Sequence, residues 1–233
     1  MFRHVPNALT ASRLVLAAVF FGILSFYQHE GRGDPTMLNI AFVIYLVALF
    51  TDFLDGHLAR KWKVEGAFGR VVDPFVDKVL VLGSFIFFAG KNFTIPIDPS
   101  AAEFPTNVRT ITGIVPWMVV VILSRELLVT SLRGLFEGGG QNFGAAFSGK
   151  LKMVLQSITI LVVLVYVNYF AKDWPGAFLK LHAYEWYARM LLYGFIWTTL
   201  AVTVVSGWMY VQKAIEMYRA ASAATAAGAT AAK

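Results

Sequence analysis

The chain contains no cysteine, and charged residues make up only 15% of its 233 positions. Without cysteine there are no disulfides, no thiolate metal ligands and no cysteine nucleophile. A glycine run at 138–140 follows no strand-like segment and precedes no Gly-Lys-Ser/Thr element, so it is typical of a loop rather than of a phosphate-binding turn. The chain is instead rich in apolar residues, which make up 58% of its sequence. This balance indicates a membrane-embedded protein.

The formal net charge is +6. A protein that faces anionic lipid has a simple reason to be basic, so we predict a lipid bilayer as the partner and no nucleic acid. Residues 1–219 are predicted to form a single domain. Residues 220–233 are almost entirely Ala, Ser, Thr and Gly, and are predicted to form a disordered or weakly helical tail.

Apolar runs of about 20 residues, the length that crosses a bilayer core, can be placed six times. They are Leu9 to Tyr27, Met37 to Asp55, Val71 to Ala89, Ile111 to Thr130, Leu151 to Phe170 and Met190 to Tyr210. We therefore predict an all-α membrane protein built as a bundle of six transmembrane helices. Eleven Lys and Arg residues share the side of the termini, against six on the other side, which predicts a cytoplasmic location for the termini.

Four aspartates lie within 26 residues on that side: Asp52, Asp55, Asp73 and Asp77. Carboxylates at membrane depth are costly unless they are paired or bind a cation. The first two are three residues apart and the last two are four apart, so each pair shares one face of a helix. Facing pairs of carboxylates suit hard divalent cations, which prefer oxygen ligands.

Pro74 leaves two interpretations of the third apolar run. It can mark a helix start with Asp73 as the cap, or it can lie within a helix that begins near Gly69. Only the second interpretation puts Gly69 on the same helical face as Asp73 and Asp77.

The whole stretch from Asp52 to Asp77 has the pattern D-x2-D-G-x2-A-R-x8-G-x3-D-x3-D. This pattern resembles the signature of the CDP-alcohol phosphotransferases, integral membrane enzymes of phospholipid synthesis. The resemblance implies a six-helix bundle, usually a homodimer, with a polar cavity that opens to the cytoplasm. It also implies attack of an alcohol hydroxyl on a CDP-linked lipid, with CMP as the leaving group, and it places the enzyme in the bacterial inner membrane.

The resemblance assigns roles to individual residues. Asp52, Asp55, Asp73 and Asp77 would hold a two-metal site of Mg²⁺ or Mn²⁺, and Asp77 would also be the general base. A structural salt-bridge network is the alternative for these aspartates, and a helix cap is the alternative for Asn7 and Thr10. The CDP-lipid site would be formed by Gly56, Ala59, Arg60, Gly69, Asn7 and Thr10.

Further matches favour CDP-diacylglycerol as donor and glycerol 3-phosphate as acceptor. They are Pro6-Asn7-x2-Thr10-x2-Arg13, Asp77-Lys78, Ser124-Arg125-Glu126, Gly149-Lys150-x-Lys152 and Gln156. The cations predicted to bind the acceptor phosphate are Arg125, Arg133, Lys150 and Lys152. Two alternatives are that the lysines and Arg133 only anchor the protein to lipid headgroups, and that Arg125 only pairs with Glu126.

Three other functions compete with this interpretation. The same family includes enzymes that use another acceptor, such as inositol phosphate, inositol, serine or phosphatidylglycerol. A divalent-cation channel or transporter would also place carboxylates within the membrane, although Arg60 on the carboxylate face would repel a permeating cation. A membrane anchor without catalytic activity would leave four aspartates at helical spacing unexplained.

Overall fold

The computed structural model describes the backbone of residues 5–31, 33–62, 67–96, 108–138, 147–171 and 181–231. Side chains are described within 11–31, 33–52, 75–95, 109–136, 151–171 and 181–219, and at 138 and 149. The described residues form six α-helices: α1 (Val5–Phe26), α2 (Pro35–Trp62), α3 (Ala67–Phe88), α4 (Pro116–Gly138), α5 (Phe147–Tyr169) and α6 (Glu185–Ala231). Short 3-10 turns cover Lys91–Phe93 and Leu181–Tyr184.

The predicted all-α membrane class is confirmed, and each of the six apolar runs overlaps one helix. By length and composition, three helical segments of the described part can cross a membrane: Pro35–Asp52, Leu151–Tyr169 and Leu181–Arg219. Ala11–Phe26 is apolar but shorter. The count of six membrane spans therefore stays a prediction.

Helix α3 decides between the two interpretations of Pro74. The helix begins at Ala67 and continues through Pro74, so Gly69, Asp73 and Asp77 lie on one continuous helix at positions i, i+4 and i+8. Pro74 is the eighth residue of this helix, so it lacks the backbone N–H that would donate to the Arg70 carbonyl at this position.

Helix α4 begins five residues later than the fourth apolar run predicted. Residues 111–115 form a turn in which Gly113 has φ of 71°, a conformation that strongly favours glycine. Buried Thr112 donates a hydrogen bond from its hydroxyl to the Phe88 carbonyl at 2.7 Å and ties this turn to the end of α3. The turn directly follows β2 (Val108–Thr110), which pairs antiparallel with β1 (Thr94–Pro96), and the apolar pattern did not predict either strand.

Helix α2 begins with an aspartate cap and a proline, two residue types that are common at helix starts. The Asp34 carboxylate accepts a hydrogen bond from the Thr36 backbone N–H at 2.8 Å, and Pro35 occupies the first helical position. Hydrogen bonds from the backbone and the side chain of Thr36 hold the pKa of Asp34 below its usual value. Asp34 is exposed and precedes α2, at the end of the bundle opposite to Asp52.

The core lies where α1 packs against α2 and α3, and α5 against α2 and α6. Phe20 of α1 packs against Tyr45 of α2 with ring centroids 5.5 Å apart. The outer surface exposes large apolar side chains such as Val15, Phe50 and Trp208, as expected of helices that contact lipid. These helices bring Arg13, Asp52, Asp77 and Lys152 to one end of the bundle.

Helix α6 has 47 residues and is therefore about 70 Å long, more than twice the thickness of a bilayer core. Its apolar part ends near Tyr210, and its backbone stays helical to Ala231, within the tail predicted as disordered or weakly helical. The division into a domain of residues 1–219 and a separate tail stays a prediction.

Candidate active site

Two of the four aspartates converge on one buried arginine. Nη1 of Arg13 donates hydrogen bonds to Oδ1 of Asp52 at 2.5 Å and to Oδ1 of Asp77 at 2.7 Å. The arginine is 2% exposed, whereas the aspartate side chains are 42% and 27% exposed. The guanidinium therefore lies beneath two carboxylates that solutes can reach, and it joins α1, α2 and α3 at this end of the bundle.

The two carboxylates and the arginine together carry a net negative charge, which favours the binding of a cation. Because both carboxylate oxygens lie within hydrogen-bond distance of one nitrogen atom, they are about 5 Å apart or less. Two negative charges so close to each other repel unless a cation lies between them, and Arg13 supplies only one positive charge. Asp55 and Asp73 belong to the same two helices, but their side chains lie outside the described residues.

A cavity of about 290 Å³ opens beside Asp77. It brings Asp77 together with two of the predicted acceptor-binding cations, Arg133 and Lys152. Lys78, Glu126 and Gln156 also line it. Three cations against two carboxylates give the lining a net positive charge, which suits an anionic solute.

Gln156 adds evidence for a polar solute in this cavity. Its side chain is 2% exposed, and its amide nitrogen has no hydrogen-bond partner among the described residues. A buried donor without a partner is costly, and a ligand or a water molecule in the cavity can satisfy it.

Lys152 is held in the cavity wall by Glu126. Oε1 of Glu126 accepts hydrogen bonds from Nζ of Lys152 and from Nη1 of Arg125, the latter at 3.0 Å. Both Lys152 and Glu126 are buried, so each charge needs the other. The carboxylate links α4 to α5 and fixes the position of the lysine ammonium.

Arg125 lies behind this wall and is not among the residues that line the cavity. Its guanidinium donates to the Ser206 hydroxyl at 2.9 Å and lies over the Tyr210 ring, 5.5 Å from the centroid. Gly207 permits this approach, because a Cβ at that position would stand 2.9 Å from Cγ of Arg125. Arg125 also forms the ion pair with Glu126 at 3.0 Å, which was one of the alternatives that the sequence left open.

The surroundings of the other predicted site residues lie outside the described side chains. On the metal and donor side these are Asp55, Asp73, Gly56, Ala59, Arg60, Gly69, Asn7 and Thr10. On the acceptor side it is Lys150. Their backbones place them on α1, α2, α3 and α5.

The structure adds four residues that the sequence analysis did not assign to the site: Arg13, Lys78, Glu126 and Gln156. All four stand in the short motifs quoted above, and that position was the available signal. The motifs alone did not indicate that Arg13 reaches two aspartates 39 and 64 residues away.

Among the described residues no group of three or more His, Asp or Glu side chains is placed to hold a metal ion. Only Asp52 and Asp77 of the four aspartates belong to that part of the chain. Their carboxylate oxygens are the ligand type that hard divalent cations prefer, and the single positive charge of Arg13 leaves the pair with a net negative charge. The residues present therefore fit a divalent metal.

Comparison with known proteins agrees with this chemistry. A model of the CDP-alcohol phosphatidyltransferase family matches residues 3–226. The chain is 30% identical over 217 residues to the CDP-diacylglycerol–glycerol-3-phosphate 3-phosphatidyltransferase of Bacillus subtilis (strain 168), covering 90% of this chain and 94% of that protein. It is 27% identical to the protein of the same name from Cereibacter sphaeroides, covering 91% and 95%. A protein of that name from Haemophilus influenzae is 29% identical over 67% of this chain and 73% of its own length.

Proposed function

The chain belongs to the CDP-alcohol phosphatidyltransferase family, and from this premise we propose that it transfers the phosphatidyl group of CDP-diacylglycerol to sn-glycerol 3-phosphate. The products are phosphatidylglycerophosphate and CMP. The observation that carries the proposal is the cavity in which Asp77 meets Arg133 and Lys152. The names of the similar proteins from Bacillus subtilis and Cereibacter sphaeroides support the same donor and acceptor.

The family uses divalent metals. We propose Mg²⁺ or Mn²⁺ for this chain, in a two-metal site held by Asp52, Asp55, Asp73 and Asp77. Divalent cations held by these carboxylates would offset the charge of the pyrophosphate and so favour attack by a second negatively charged substrate. Arg13 holds two of the carboxylates side by side from beneath.

Asp77 is the group that accepts the proton. Oδ1 of its carboxylate is anchored on Arg13, and the same side chain lines the cavity. The hydroxyl oxygen of the acceptor forms a bond to the lipid-bearing phosphorus while the bond from that phosphorus to the CMP oxygen breaks. The hydroxyl proton passes to Asp77, and the electron pair of the broken bond leaves with CMP.

The phosphate of the acceptor is held by the cations of the cavity. Arg133 offers a guanidinium fork that matches phosphate oxygens, and Lys152 offers a point charge fixed by Glu126. Gln156 supplies a neutral donor. We include Lys150 in this site from the motif, and we assign Arg125 to it as a positioning residue that acts through Glu126.

For the donor we propose a site along α2 and α3. Gly56, Ala59 and Gly69 leave room for the cytidine and its phosphates, and Arg60 pairs with phosphate oxygens. Asn7 and Thr10 of α1 complete the site.

The protein is an integral membrane protein. We propose that it resides in a bacterial inner membrane, with the aspartates and the termini on the cytoplasmic side, as the distribution of Lys and Arg predicts. We also propose that residues 1–219 form one catalytic domain and that the enzyme acts as a homodimer. Measurement of the mass of the protein in detergent tests the dimer.

The proposed function is tested by CMP release from purified protein in detergent with CDP-diacylglycerol and Mg²⁺. Glycerol 3-phosphate, inositol phosphate and serine are added in separate reactions. We expect release that depends on glycerol 3-phosphate. Release with a different acceptor would keep the family and replace the substrate, and no release with any acceptor would refute the proposed activity.

Replacing Arg133 by glutamine is expected to raise the KM for glycerol 3-phosphate by about 10- to 100-fold, because a charge-assisted hydrogen bond to a phosphate is lost. The KM for CDP-diacylglycerol should change little. Arg219→Gln removes the same charge from an exposed position on α6 and serves as the control. Equal changes in both KM values would argue against a role specific to the acceptor.

A further inference from the structure

A second polar cavity lies at the end of the bundle opposite to the aspartates. It has a volume of about 440 Å³, and its polar lining consists of His29, Glu30, Arg109, Tyr166 and Arg189. Along α5, Tyr166 is 14 residues beyond Lys152, which corresponds to about 21 Å. The two cavities therefore lie near opposite ends of the bundle. The proposed reaction assigns no role to the cavity beside Tyr166.

An apolar groove of about 500 Å³, lined by residues of α2, α5 and α6, lies beside this cavity. Phe42, Val165, Ala188 and Leu191 are among the side chains that line it. Tyr166 lines both the groove and the polar cavity, and Ala188 of the groove directly precedes Arg189 of the cavity. The two spaces are thus neighbours, one polar and one apolar, and each has the size of a ligand site.

Aromatic side chains mark the depth at which the two spaces meet. Tyr184, Trp186 and Tyr187 are all more than half exposed, and they stand together where α6 begins. Exposed Trp and Tyr are enriched at the level of lipid headgroups. The polar cavity therefore lies at headgroup depth, and the groove extends from it toward the bilayer centre.

The polar cavity presents two guanidinium groups. Arg189 is held by Glu185, whose carboxylate accepts from Nε of Arg189 at 2.6 Å and from the Tyr166 hydroxyl at 2.7 Å. Arg109 is exposed on β2, where the pairing of Thr94–Pro96 with Val108–Thr110 holds its backbone. Guanidinium groups bind phosphate oxygens through paired hydrogen bonds.

We propose that these two spaces form one binding site for a membrane phospholipid, whose phosphate lies between Arg109 and Arg189 and whose acyl chain lies in the groove. A phosphate at headgroup depth joined to an apolar chain matches the polar cavity, the adjoining groove and the aromatic residues together. The site is distinct from the proposed catalytic site, and the inference does not rest on the proposed function.

The test is native mass spectrometry of the full-length protein in detergent, after removal of bound lipid and titration with dioleoyl phosphatidylglycerol. Arg109→Gln should weaken lipid binding by about 10- to 100-fold, because charged hydrogen bonds to the phosphate are lost. Arg109→Lys, which keeps the charge but not the fork, should weaken it less. Ala188→Phe, which fills the groove, should also weaken binding.

Two substitutions serve as matched controls. Arg219→Gln removes an exposed arginine elsewhere on α6, and Ala201→Phe adds the same ring at an exposed position of α6 outside the groove. Both should bind lipid like the wild type. Inorganic phosphate at the same concentration as the lipid should not displace it, because the groove contributes to binding.

Four outcomes would overturn the inference. One is equal lipid binding by the wild type, Arg109→Gln and Ala188→Phe, and another is displacement by inorganic phosphate. A third is a change of oligomer mass in Ala188→Phe without a change in lipid binding, which would identify a second copy of the chain as the occupant. The fourth is a raised KM for CDP-diacylglycerol in Ala188→Phe, which would assign the groove to the donor. A wild type that releases no CMP would refute only the proposed function.

Discussion

Replacement of Asp77 by asparagine is expected to reduce CMP release by at least about 100-fold. The amide cannot accept the proton of the acceptor hydroxyl, and it lowers the negative charge at the proposed metal site. Asparagine keeps the shape of the side chain, and its carbonyl oxygen can still accept a hydrogen bond from Arg13. The measurement is the initial rate of CMP release at saturating CDP-diacylglycerol and glycerol 3-phosphate, so that a loss of kcat is separated from a loss of binding.

Asp34→Asn provides the matched control for this substitution. Asp34 is exposed at the opposite end of the bundle, and asparagine caps a helix about as well as aspartate. Its rate should equal that of the wild type. An Asp77→Asn protein that turns over like the Asp34→Asn control would exclude Asp77 as the proton acceptor.

The helices could be predicted from the sequence because apolar runs of bilayer length leave little choice of secondary structure. The hairpin of Thr94–Pro96 and Val108–Thr110 could not, since strands of three residues are too short to show an alternating pattern. The start of α4 was placed too early for a related reason. Ile111 and Ile114 are apolar enough to extend the run, but the turn at Gly113 and the bond from Thr112 to Phe88 precede the helix.

The location of the four aspartates on α2 and α3 could be predicted because they stand at helical spacing within one stretch of sequence. The partners of those aspartates could not, because they come from other helices and depend on tertiary packing. Arg13 was noted as the last residue of the Pro6-Asn7-x2-Thr10-x2-Arg13 motif, with no contact assigned to it, and packing of α1 against α2 and α3 carries it to Asp52 and Asp77. In the same way, only the packing of α4 against α6 shows that Arg125 contacts Ser206 and Tyr210 and does not line the cavity.

Replacement of Arg13 is expected to lower the stability of the folded protein. Glutamine at this position has no charge to neutralise Asp52 and Asp77. Their carboxylate oxygens lie about 5 Å apart or less, so the like charges repel. Loss of one partner of a buried ion pair costs about 3–5 kcal/mol, and we expect about 1–3 kcal/mol here because both aspartates are partly exposed. In metal-free buffer the Tm should fall below that of the wild type and of the Arg219→Gln control.

Addition of Mg²⁺ should reverse much of this loss. A cation that binds the folded protein stabilises it more when its affinity for the carboxylates is higher, and that affinity rises when Arg13 no longer neutralises them. The Mg²⁺-dependent rise in Tm should therefore be larger in Arg13→Gln than in the wild type, whereas Arg219→Gln should match the wild type. The same rise in all three proteins would mean that the guanidinium and the metal act on different carboxylates. A larger rise in Arg13→Gln alone would place the metal at Asp52 and Asp77 by a readout that does not depend on catalysis.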